Sequence, residues 1–219
     1  MKFLLTSSGL RNDAIFKALS DLVQKPTSKT AFLFVLTAAN IESGDKEWLI
    51  TDLVNIQKHG FKSVDVVDIA GISKDNWLAR MKEADVICFS GGSEQYLAQI
   101  LEEVNFKDLI PDLFNDKVYM GISAGSMVAG MFLPKDVDTI LYPEESYMGK
   151  WEQSLGLTNI CFLPHLNSKW FTHVRKELLE SIKDKLTSTT YALDDETALT
   201  IVDDKINIIG NGDYWVFEK

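Results

Sequence analysis

Gly121-Ile122-Ser123-Ala124-Gly125 carries the clearest chemical signal in this 219-residue chain. A short apolar run, Val118-Tyr119-Met120, leads into it, and the small-residue helix start Met127, Val128 and Ala129 follows. Glycines on both sides let the backbone turn sharply, leaving the serine hydroxyl at a strand tip above a helix N-terminus. That is the sequence form of a nucleophile elbow. An ordinary glycine-rich turn could carry the same letters, so the reading rests on the partners the chain can supply.

A serine hydroxyl needs a base to take its proton, and the chain has three histidines. His59 precedes Gly60, where a helix is expected to end and capping is the plain role. His173 falls within a helical pattern. His165 follows the strand-like Ile160–Leu163 through Pro164 and precedes the polar turn Leu166-Asn167-Ser168. Ligands bind at such strand ends in open α/β sheets, which makes His165 the expected base. The amide of Ala124, directly after the serine, is one expected oxyanion donor. The turn Ser90-Gly91-Gly92-Ser93 again joins a strand to a helix and can bring a Gly91 or Gly92 amide to the same point. By itself it would suit a phosphate equally well. The orienting acid stays open among Asp136, Asp138, Asp194, Asp195 and Glu196.

Elements that could position these groups alternate along the chain. Residues 2–6, 31–37, 63–69, 86–90 and 117–121 are strand-like and mostly apolar, as in a parallel sheet covered on both faces. Amphipathic patterns at Asp13–Gln24, Lys46–His59, Lys74–Lys82 and Gln95–Val104 separate them. The expected fold is α/β, a doubly wound and mostly parallel sheet. Further on come a strand at 160–163, a helix over Trp170–Lys185, a hairpin of Ala198–Val202 and Lys205–Ile209 across Asp203-Asp204, and a last strand at Tyr214–Phe217. The hairpin is expected to add an antiparallel edge. With no linker or repeat, residues 1–219 read as one domain, and the long stretch Leu133–Asn159 reads as a rim or lid beside the elbow.

The net charge of −10, without a basic stripe, speaks against a nucleic-acid surface. No apolar run approaches the roughly 20 residues of a membrane helix, and no signal-peptide pattern opens the chain. Cys88 and Cys161 lie in apolar runs and read as buried thiols. The expected compartment is cytoplasmic.

Ser90-Gly91-Gly92-Ser93, Gly121–Gly125, Leu163-Pro164-His165, Asp194-Asp195-Glu196-Thr197-Ala198-Leu199 and Tyr214-Trp215-Val216-Phe217 together resemble the dipeptidase E and cyanophycinase family of serine peptidases. The resemblance implies a class I glutamine amidotransferase-like fold, Ser123 as nucleophile, His165 as base, and the amides of Gly92 and Ala124 as oxyanion donors. The order serine, histidine, acid differs from that of α/β-hydrolases. The family's glutamate falls on Asp195, with Glu196 one residue later, and an aspartate sometimes described after the serine falls on Asp138. Asp195 or Glu196 is therefore the expected acid, with Asp138 next.

The expectation is a serine peptidase acting on short peptides without a metal or organic cofactor. An esterase or other amide hydrolase, or a non-catalytic binder of small molecules or anions on the same fold, are the alternatives. Gly91, Lys169 and Arg175 are the expected substrate contacts. Aspartyl-specific members carry a basic residue shortly after the histidine, where this chain has Trp170-Phe171-Thr172. A weak or absent aspartyl preference is therefore expected. Oligomeric state is not legible.

Overall fold

The computed structural model describes residues 1–143 and 153–219. In chain order, its first half holds β1 (Lys2–Thr6), α1 (Asp13–Val23), β2 (Ala31–Val35), α2 (Thr37–Asn40), α3 (Glu47–Gln57), β3 (Ser63–Val67), α4 (Lys74–Glu83), β4 (Val86–Phe89) and α5 (Glu94–Glu103). Then come α6 (Ile110–Leu113), β5 (Val118–Ile122), α7 (Ala124–Ala129) and α8 (Lys135–Leu141). The remainder is β6 (Cys161–Leu163), α9 (Lys176–Ile182), β7 (Thr190–Leu193), β8 (Thr197–Val202), β9 (Lys205–Gly210) and β10 (Tyr214–Phe217).

Seven strands form the main sheet in the order β3-β2-β4-β5-β1-β8-β9. The first five are mutually parallel; β8 joins β1 antiparallel and β9 joins β8 antiparallel, as the expected hairpin edge. Asp203 and Asp204 turn that hairpin at φ 48° and 64°, the left-handed pair its tight connection requires. Alternation along the strands splits the core between two faces. Phe3, Leu5, Ile87, Phe89 and Tyr119 pack under α4, α5 and α7, while Leu4, Phe34, Cys88 and Met120 pack under α1 and α3. Cys88 and Cys161 are both buried and free.

The last third holds the expected last strand and departs from the sequence expectation in two places. Tyr214–Phe217 pairs antiparallel with β7, which pairs parallel with β6, in a second three-stranded sheet. Thr190–Leu193 was not expected as a strand at all. The helix expected over Trp170–Lys185 starts only at Lys176, followed by a 3₁₀ turn at Lys183–Lys185. Residues before it form a loop braced by Arg175, whose guanidinium donates to the carbonyls of Ser168, Phe171 and Val174. Leu133–Asn159 contains α8, and the rest of the lid expectation falls largely on residues 144–152, outside the described residues. Among the described residues no helix is long and apolar enough to cross a membrane.

Candidate active site

The parallel strands end at one edge, and Ser123 stands there at the end of β5 with φ 48° and ψ −109°. A non-glycine residue in such a conformation costs of order 1–3 kcal/mol and persists only when its surroundings enforce it. Three bonds do so. The Ser123 amide donates to the Thr6 carbonyl (2.9 Å), and the amides of Ser126 and Met127 donate back to the Ser123 carbonyl (2.8 and 3.0 Å). The buried Ser126 hydroxyl adds a clamp, donating to Thr6 O and accepting from Thr6 N. Strand and helix approach so closely that a Cβ on Gly121 would lie 2.6 Å from the Ser126 backbone, and one on Gly125 only 2.1 Å from Phe89 O. Both glycines of the motif are thus required by space.

β6 and β7 run parallel, with Leu163 opposite Ala192, and both leave the second sheet at the edge where Ser123 stands. His165 follows β6 and Asp195 follows β7, so the two side chains emerge side by side. His165 Nε2 lies 2.9 Å from Ser123 Oγ, and Nδ1 lies 2.8 Å from Asp195 Oδ1. The imidazole stacks on Phe171 (4.4 Å between centroids, 9° between planes). Its backbone, at φ 65°, is held by a bond from His165 N to Ser7 Oγ, which itself donates to Leu193 O. Burial raises the Asp195 carboxyl, but hydrogen bonds from His165 and Ser8 and the charge of Arg11 outweigh it, leaving Asp195 below the usual carboxylate range. An ionised Asp195 only accepts, so Nδ1 carries the proton and Nε2 is left as the acceptor for the serine O–H.

Three adjacent acids take three positions here. Asp194 shapes the turn: its carboxylate accepts from the amides of Glu196 (3.0 Å) and Asp213 (2.6 Å). Asp195 meets the histidine. Glu196 points the other way, accepting from Asn12 Nδ2 (2.9 Å) and lying 3.5 Å from Arg11 Nε. Asp138, on α8, makes no bond to His165 and lies instead beside Glu94. Asp136 pairs at the surface with Lys185 (3.0 Å).

On the other side of Ser123 is the Gly91-Gly92 turn. Gly92, at φ 123°, has no room for a side chain, since a Cβ would lie 2.2 Å from Ala38 O. The amides of Gly92 and Ala124 donate to no protein acceptor among the described residues. A Cβ position on Gly91 is 3.5 Å from Ser123 Cβ and equally 3.5 Å from Cζ3 of Trp48, a ring 40 % exposed.

The other two expected contacts, Arg175 and Lys169, are engaged within the loop after β6. Arg175 is occupied by the three loop carbonyls, and Lys169 lies over the exposed Trp170 ring (4.8 Å). His59 stacks on Phe16, and His173 is exposed in the loop before α9. Ser7, Ser8, Arg11, Trp48, Asp52 and Glu94 are neighbours of the site that sequence reasoning did not name. The polar turn after β1 was a visible signal for the first three; for the others only the fold supplies the proximity.

This arrangement can take a proton from Ser123, return it to a leaving group, and offer N–H groups to an oxyanion beside the serine. The model of peptidase family S51 matches residues 3–209. An uncharacterized peptidase of Listeria innocua is 23 % identical over 152 residues, spanning 69 % of this chain and 71 % of that protein. Among solved structures, a "Putative Peptidase E Protein" of Listeria monocytogenes EGD-e superposes with a TM-score of 0.75 at 20 % identity, covering 96 % of this chain and 98 % of the other. A peptidase of an acI-B1 Actinobacterium superposes with a TM-score of 0.70 at 20 % identity, covering 99 % and 90 %.

Proposed function

The chain belongs to peptidase family S51, and from that premise we propose that it hydrolyses short peptides with Ser123 as nucleophile, His165 as general base and Asp195 as the orienting acid. The protein is a serine-type peptidase of the dipeptidase E kind. The observation that carries the assignment of roles is the single imidazole spanning Ser123 Oγ and Asp195 Oδ1 at 2.9 and 2.8 Å.

In this reading Ser123 Oγ attacks the peptide carbonyl carbon while His165 Nε2 takes the hydroxyl proton. The carbonyl oxygen gains the negative charge and is met by the amides of Gly92 and Ala124. Asp195 stabilises the imidazolium and does not itself become protonated. His165 then protonates the leaving amine as the C–N bond breaks. Water, deprotonated by the same nitrogen, attacks the acyl-serine ester and releases the acid. Trp48 and the loop carrying Trp170 and Phe171 line the approach with aromatic surface.

Selection for an amino-terminal aspartate would require a cation for its desolvated carboxylate. Arg175 has its donors on backbone carbonyls and Lys169 lies on Trp170, which supports a weak or absent aspartyl preference. A serine-directed phosphonate should modify Ser123 and nothing else, with S123A and H165A each losing nearly all dipeptide turnover. The two act as a unit, so the double variant should be little worse than either single one. Retained turnover in S123A or H165A overturns the assignment.

A further inference from the structure

Glu94 is the first residue of α5, two positions after Gly92, and is only 5 % exposed. A carboxylate so deeply buried normally has a cation or several donors. Among the described residues Glu94 has neither: its one hydrogen bond there comes from its own backbone N–H. Its electrostatic neighbours are two more carboxylates, Asp138 and Glu42. Among the described residues neither Glu94 nor Asp138 forms an ion pair.

The placement is equally specific. α5 packs against α7, the helix that begins at Ser123. α8, which carries Asp138, buries Val137 and Leu141 against Met127 of α7 and against Cys161 and Leu163 of the strand leading to His165. Both carboxylates thus stand on elements that converge at the nucleophile, on the side of the Gly91-Gly92 turn. The leaving amine must face His165 Nε2, so that side belongs to the residue whose carbonyl is attacked.

We propose that Glu94, with Asp138 behind it, receives the cationic side chain of that residue, making lysyl and arginyl peptides the preferred substrates. The inference rests on the peptidase reading and adds the substrate class to it. A bound ammonium or guanidinium supplies the partner Glu94 lacks and offsets the repulsion between the two carboxylates. An aspartyl side chain at the same place would add a third negative charge.

The test compares Lys-Leu, Arg-Leu, norleucyl-leucine and Asp-Leu with the wild-type protein and with E94Q, which keeps the shape and removes the charge. The wild type should favour Lys-Leu over norleucyl-leucine by about tenfold or more in kcat/KM, the scale of a hydrogen bond to a charged group, with Asp-Leu poorest. E94Q should bring the Lys-Leu to norleucyl-leucine ratio to near one. A second readout needs no turnover: Nα-acetyl-lysinamide should raise the melting temperature of the wild type above the effect of Nα-acetyl-norleucinamide, and E94Q should abolish that difference. Stabilisation by the lysine compound in a protein that cleaves no peptide would defeat the peptidase reading but keep the cation site. Peptide cleavage with no lysyl preference, or with one that E94Q leaves intact, overturns the inference. So does a preference that appears only when the α-amine is free. If E94Q is not folded, D138N takes its place and should at least halve the ratio.

Discussion

Asp52 gives a stability prediction whose size follows from its surroundings. It lies on the inner face of α3, 8 % exposed, with no hydrogen bond to its carboxylate among the described residues, and Oδ1 is 3.4 Å from where a Cβ on Gly9 would stand. Burial, only partly opposed by Arg11 and reinforced by the charge of Asp195, lifts this carboxyl from its ordinary 3.8 to about 7. A raised acid favours the protonated folded form. Whatever stability Asp52 permits is therefore whole below pH 3.8 and is lost as pH rises to about 7. A shift of about 3 units at about 1.4 kcal/mol each sets a ceiling of about 4 kcal/mol on that loss. D52N removes the ionisation at nearly constant volume but must bury an amide, so half of the ceiling is a fair expectation. For a chain of this size that corresponds to a melting-point gain of roughly 4–8 °C at pH 8. At pH 4 the wild-type group is protonated, so the cost of burying the amide remains without the ionisation it relieves, and D52N should melt a few degrees below the wild type. Thermal melts of both proteins at pH 4, 6 and 8 read this directly. An equal shift at every pH, or destabilisation at pH 8, would refute the reasoning and mean that Asp52 is charged and usefully paired.

Two further predictions address the neighbours of Ser123. D195N should lower kcat by roughly 10³–10⁴-fold, because a neutral amide no longer fixes the histidine tautomer, whereas E196Q should stay within about threefold of the wild type in kcat/KM; a larger loss in E196Q than in D195N would exchange their roles. W48A should raise KM for dipeptides about fivefold or more with kcat largely kept, the scale of one lost aromatic contact, and a fall confined to kcat would show that the ring acts on the chemical step instead.

The main sheet was legible because its strands are covered on both faces. Continuous apolar runs such as Phe32–Val35 and Val86–Phe89 leave few other readings, and amphipathic segments such as Asp13–Val23 bury one stripe, Ile15, Ala18, Leu19 and Leu22. The second sheet was less so. β6 has three residues and β7 four, too short for a pattern to develop, and β10 gives no local sign of which sheet it joins. The segment from Trp170 failed for a different reason. Its apolar spacing resembles an amphipathic helix, but Phe171 is committed to the His165 ring and Arg175 to three carbonyls, and these tertiary bonds outweigh local propensity.

The acid shows most sharply where pattern reasoning ends. Strand alternation would send Asp195 and Glu196 to opposite faces, which is how sequence narrows the choice to one of them. Both in fact precede β8 and lie in a turn, where no two-residue period operates. What separates them is Asp194. By accepting from the amides of Glu196 and Asp213 it fixes the path of the chain between two sheets, and Gly212 leaves space for it, since a Cβ there would sit 2.3 Å from the Asp194 carboxylate. With that path fixed, Asp195 projects toward the end of β6 and Glu196 toward Asn12 and Arg11 at the start of α1. The identity of the histidine's partner therefore depends on a residue that touches no reacting atom and on a glycine 18 positions later in the chain. An aspartate, short as it is, reaches the imidazole at 2.8 Å because this turn carries it there.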